Sequence, residues 1–84
     1  MGTMREHINM VHTIAIARAA RMAYVAGMAI GEGKTIDRAI ELGRAGIEVE
    51  FAAVEPSTSD GRFYEEMQDS VEKFIRMLNA PTPV

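Results

Sequence analysis

The sequence has no cysteine. That excludes a disulfide framework and any thiolate metal site, and it permits a reducing compartment. Proline is scarce: there are three, and all lie at or beyond Pro56, so none breaks a helix in the first half of the chain. A basic excess is also missing. The formal net charge is −3, which argues against a surface built for nucleic acid. No internal repeat and no low-complexity segment occurs. What remains is a globular balance of 48% hydrophobic and 25% charged residues, unlike that of a disordered chain. At 84 residues there is room for one domain, and a domain that small buries only about 60% of its unfolded surface, so its stability is marginal without further support.

The start, Met1-Gly2-Thr3-Met4-Arg5-Glu6-His7, does not read as a secretory signal, because an acid follows the base and no small-residue cleavage site comes after it. The apolar run from Met10 to Ile30 has the length of a membrane span. Arg18 and Arg21 sit at its centre, each costing about 2.5–3.5 kcal/mol on insertion scales, so the expectation is a buried helix of a soluble, cytoplasmic protein.

Three helices are predicted, at about 4–30, 35–54 and 62–78. Gly31-Glu32-Gly33-Lys34 stops the first by supplying left-handed conformations. Thr35 caps the second, with Asp37 in its first turn, and Pro56 closes it. Ser59 or Asp60 caps the third, and Asn79 and Pro81 end it. The third helix is amphipathic, with Phe63, Met67, Val71, Phe74 and Leu78 on one stripe and the pairs Asp69–Lys73 and Glu72–Arg76 on the other side.

The first helix is apolar around well over half of its circumference. Met4, His7, Val11, Ile14, Arg18, Arg21, Val25 and Met28 fall on one heptad seam; Ile8, Ala15, Ala19, Ala26 and Ile30 form a neighbouring face. The second helix answers with Gly43 and Gly46, which allow close approach. Its own seam reads Ile36, Ile40, Gly43, Ile47, Glu50 and Val54. A helix of that length has more greasy surface than two shorter helices can hide, so the surplus is expected between subunits. The expected fold class is therefore all-α: a long antiparallel helical hairpin plus a third helix in a single domain over 1–80, with a flexible tail at 81–84, completing a helical bundle by homo-oligomerisation.

Charges in apolar seams need partners. Counting back from the turn puts Arg18 level with Glu48 to Glu50, and an Arg18–Glu50 or Arg18–Glu48 ion pair is expected. The competing use of these side chains is anion binding, with Arg18, Arg21, His7 and Lys34 lining a pocket, because the guanidinium fork suits phosphate and carboxylate.

Several motifs fail on inspection. Gly31-Glu32-Gly33-Lys34-Thr35 has the end of a P-loop, but Met28 stands where the first glycine belongs, and a helix precedes it where a strand should. Ala39-Ile40-Glu41-Leu42-Gly43 has the small-residue spacing of a helix-turn-helix, yet Glu48, Glu50 and Glu55 follow and would repel phosphate. Glu65-Glu66-Met67-Gln68-Asp69 resembles the acidic helix motif of all-helical nucleotide pyrophosphohydrolases, but no room remains for the second acidic motif a magnesium site requires. His7 and His12, five apart, point about 140° away from each other and cannot chelate one ion as an i,i+4 pair would. The methionines Met4, Met10, Met22, Met28, Met67 and Met77 read as core, with an adaptable partner surface as the alternative. The functional expectation is a small non-enzymatic helical interaction protein (adaptor, inhibitor or regulatory subunit) acting as a homo-oligomer, with no cofactor or metal, no DNA and no membrane span. The alternative is an oligomeric small-anion or nucleotide-binding protein using the seam arginines.

Overall fold

A computed structural model describes residues 3–80; the expected tail at 81–84 lies outside them. Three helices are present, α1 (Thr3–Gly31), α2 (Ile36–Glu50) and α3 (Ser59–Leu78), with no strand among the described residues. α1 is one unbroken rod, about 43 Å long at 1.5 Å per residue. Both shorter helices pack along it and touch each other far less.

The turn at 32–35 works as the sequence suggests, with one refinement. Only Gly33 takes a left-handed conformation, at φ 87°. Its N–H donates to the Ile30 carbonyl and that of Lys34 to the Ala29 carbonyl, both at 3.0 Å, which satisfies carbonyls the helix end would leave orphaned. Gly31 stays helical. The Thr35 hydroxyl caps α2 by accepting from the Arg38 N–H at 3.1 Å.

α2 ends at Glu50, four residues short of the expected boundary. Phe51 turns extended, at φ −120° and ψ 148°, and the Ala52 carbonyl accepts from Arg18 Nη1 at 3.3 Å. Pro56 has no N–H to offer that carbonyl from four residues on, so the side chain from α1 takes the acceptor that the proline leaves free. α3 begins earlier than expected and is capped by Thr58, ahead of Ser59 and Asp60. The Thr58 hydroxyl accepts from the Gly61 N–H at 3.0 Å and donates to the Glu55 carbonyl at 2.8 Å.

The core lies in two clusters strung along α1. Met22, Ala26 and Ala29 meet Ala39, Ile40 and Ile47 of α2 and Ile75 of α3 in one. Val11 and Ala15 meet Tyr64 in the other. The buried line of α1, Val11-Ala15-Met22-Ala26-Ala29, runs between the two faces expected from sequence, and Met4, Ile8 and Met28 remain exposed. Gly43 is required here: a Cβ would stand 2.7 Å from the Met22 carbonyl oxygen. In α3 the inward line is Tyr64-Gln68-Ile75; Phe63, Met67 and Val71 flank it, while Phe74 and Leu78 of the expected stripe are exposed. That one-residue rotation brings Gln68 inside, where Arg18 needs an acceptor.

Candidate functional site

The two arginines of α1 have different environments. The guanidinium of Arg18 lies over the Tyr64 ring at 4.8 Å and the Phe51 ring at 5.7 Å. Its Nε donates to Gln68 Oε1 at 3.1 Å, and its Nη1 to the Ala52 carbonyl. Aromatic faces and neutral acceptors balance this cation, where the sequence suggested Glu50 or Glu48. Glu50 instead pairs with Arg21, Oε1 to Nη2 at 2.8 Å, and Glu48 is exposed. The offset arises because α2 stops at Glu50, so the extended segment after it, with its free carbonyl and ring, faces Arg18. Arg18 is the tie between α1, the connector at 51–58 and α3.

The proposed anion-binding group is not assembled in one place. His7 sits at the start of α1, where its Nε2 meets Asp60 Oδ2 at 3.2 Å. Lys34 lies exposed in the turn at the other end, roughly 40 Å away at helical rise. Arg18 faces inward, while Arg21 and His7 border two separate open clefts. That cleft, of about 250 Å³, is lined by Arg21, Tyr24, Val25, Met28, Ala29, Glu32 and Leu42. A second, of about 180 Å³, lies between His7, His12, Asp60 and Phe63 at the opposite end, with the His12 and Phe63 rings tilted 5.4 Å apart. Among the described residues no three His, Asp or Glu side chains are grouped to hold a metal ion.

The acidic stretch of α3 has a structural use. Arg44 of α2 reaches Asp69 and Glu72 at 2.9 Å and Glu65 at 3.6 Å. Arg76 adds Glu72 at 3.1 Å and Asp37 at 2.8 Å. Glu72–Arg76 forms as expected from the i,i+4 spacing, whereas Asp69 turns to Arg44 across the helix pair. Hydrogen bonds from Arg44 and then Arg76 hold the Glu72 carboxyl below the usual carboxylate range. A carboxyl depressed in the folded state stabilises fully above its unfolded pKa, near 4.3; that contribution fades as pH falls through the folded value. Acidification below about pH 4.5 should therefore lower the Tm of the native protein more steeply than that of Glu72→Gln. Equal acid slopes in melting curves of the two proteins would remove Glu72 from the response.

What sequence reasoning missed is the outward side of α1. Met10, Ile16, Tyr24 and Met28 are 53%, 63%, 61% and 52% exposed, with Thr13, Ala17, Ala20, Ala23, Gly27 and Gly31 exposed between them. No charged residue lies on this side between Met10 and Gly31; Arg18 turns inward, and Arg21, paired with Glu50, borders the side beside Tyr24 and Met28. Gly27 marked it in the sequence. A mid-helix glycine costs about 1 kcal/mol against alanine, and a Cβ there would meet nothing within 4 Å. Gly43 and Gly46 are explained by contacts to Met22 and Val25 of α1; no contact inside the chain explains Gly27. In comparisons with protein-family models, curated proteins and solved structures, no match to the chain was found.

Proposed function

We propose that this chain is a non-enzymatic helical interaction protein, of the adaptor, inhibitor or regulatory-subunit kind, that acts as a homodimer through the outward side of α1. The observation that carries the reading is the uncharged surface from Met10 to Gly31. Met10, Ile16, Tyr24 and Met28 are each more than half exposed along it, and a contiguous apolar side of that kind marks an interaction surface. The same face on a second copy matches it in length and polarity, as a two-fold contact requires.

A lipid bilayer is the competing occupant. α1 is long and apolar enough to cross one, with a mean hydropathy of 1.3 over its best window, a third of which is buried in the fold. Against it stand the ion pairs of α2 and α3 that flank the same helix. Solution mass decides between these. The native chain is expected at twice its 9.2 kDa by light scattering at micromolar concentration, without detergent. Ala20→Glu, which puts a charge at the centre of the exposed side, should give the monomer mass with an unchanged far-ultraviolet circular dichroism spectrum. A native monomer, or a chain that leaves membranes only in detergent, would overturn the reading.

A further inference from the structure

We infer that self-association is switched by oxidation: a peroxide converts Met10 and Met28 to sulfoxides, and the two copies separate. The switch rests on the dimer reading above and adds a pair of modification sites to it. The chain has no cysteine, so thioethers are the only sulfur it holds, and their oxidation to the sulfoxide is enzymatically reversible.

Position singles out two of the methionines. Met22 is fully buried in the core and Met67 is partly buried. Met4 and Met77 are exposed, but Met4 falls on nearly the same line of α1 as Val11 and Met22, and Met77 belongs to α3. Met10 and Met28 are each more than half exposed on the outward side of α1. They are eighteen positions apart, which is five turns at 3.6 residues per turn, so they stand on one line of the rod near the two ends of its uncharged stretch. Met28 also lines the open cleft beside Arg21, which gives a small oxidant a way in.

In the reaction a sulfur lone pair attacks one peroxide oxygen. An S–O bond forms and the O–O bond breaks; the departing hydroxide takes the proton of the transferred oxygen and leaves as water. Sulfur is oxidised by two electrons and the peroxide is reduced. A flexible apolar tip becomes a dipolar group whose oxygen needs a hydrogen-bond donor. The outward side has few to offer. The Thr13 hydroxyl already donates to the Asn9 carbonyl at 2.9 Å, which leaves the Tyr24 phenol between the two sulfurs, and Arg21 at the border is paired with Glu50. A two-fold contact enclosing this side meets the change twice in each copy. An acceptor buried there without a partner raises the dissociation constant about tenfold or more.

The test treats the native protein with hydrogen peroxide until peptide mass mapping shows one added oxygen at Met10 and at Met28 and none at Met22. Light scattering at micromolar concentration should then give the monomer mass, with an unchanged far-ultraviolet circular dichroism spectrum. Methionine sulfoxide reductases for both sulfoxide epimers should restore the dimer. A protein carrying Met10→Leu and Met28→Leu, substitutions close in volume, should stay dimeric through the same treatment while Met4 and Met77 are oxidised. A dimer mass that persists with both sulfurs oxidised overturns the switch and leaves the dimer reading standing. So does dissociation of the double-leucine protein, which would assign the effect to another methionine, or a loss of helical signal, which would make it unfolding. Met10 and Met28 left unreacted while Met4 is converted would also overturn it. A monomer mass before any peroxide is added overturns the function reading, and the switch with it.

Discussion

Gly61→Ala is expected to cost the fold a large share of its stability, about 3 kcal/mol or more. Gly61 is buried in the first turn of α3, and its missing Cβ faces the Glu55 carbonyl and the Pro56 backbone. A methyl group there would overlap the Glu55 carbonyl outright. The obstacle is main chain held by a turn, in which the Thr58 N–H and hydroxyl both donate to that same carbonyl. No side-chain rotation relieves it, so α3 must shift away from the connector, disturbing the Thr58 cap and the Tyr64 contact. Overpacking costs about 1–3 kcal/mol in a deformable core and more against fixed backbone; we expect about 3 kcal/mol or more, from a total of roughly 4–12 kcal/mol for a domain of this length. Urea denaturation followed by circular dichroism measures the change. A midpoint within error of the native protein's would show that the connector yields easily and that the tight approach is incidental.

Arg18→Ala should come next in size, at about 3 kcal/mol. The loss has three parts: the cation over Tyr64 and Phe51, the bond to the Ala52 carbonyl, and the donor for Gln68, which is only 5% exposed and would be left with an unsatisfied amide oxygen. Arg21→Ala should cost under about 1 kcal/mol, because its pair with Glu50 is open to solvent and screened. The inequality is the informative part. Were both arginines chiefly ligand-binding groups, each change would leave the unliganded fold nearly as stable as before, and the two denaturation midpoints would coincide.

The sequence carried the helices more plainly than their faces. A long stretch without proline, the glycine turn and the Thr35 cap are local signals, and α1 and the start of α2 follow them. The exact end of α2 was out of reach because Pro56 marks only where a helix must already have stopped, while the Ala52 carbonyl it leaves without an N–H is held by Arg18, thirty-odd positions upstream. The rotation of α3 has the same origin, since an inward Gln68 breaks the apolar periodicity that pattern reading relies on. Arg18 was singled out correctly as a charge needing compensation, but charge counting alone looked for a carboxylate and overlooked aromatic rings and neutral acceptors. The outward side of α1 was hidden for another reason. Alanine and glycine suit an inner seam and an outer one equally, so only the placement of α2 and α3 tells which of the apolar faces is left over.

The chain has two tyrosines and no tryptophan. Tyr64, 4% exposed, lies inside the fold under Arg18, while Tyr24, 61% exposed, stands on the outward side of α1. The molecule thus carries one tyrosine inside the fold and one on the side proposed for self-association, with no indole to mask them. In a Tyr24→Phe protein the remaining phenol fluorescence follows folding; in a Tyr64→Phe protein it would follow the proposed assembly, so dilution and denaturation can be watched as separate optical events without attaching a label.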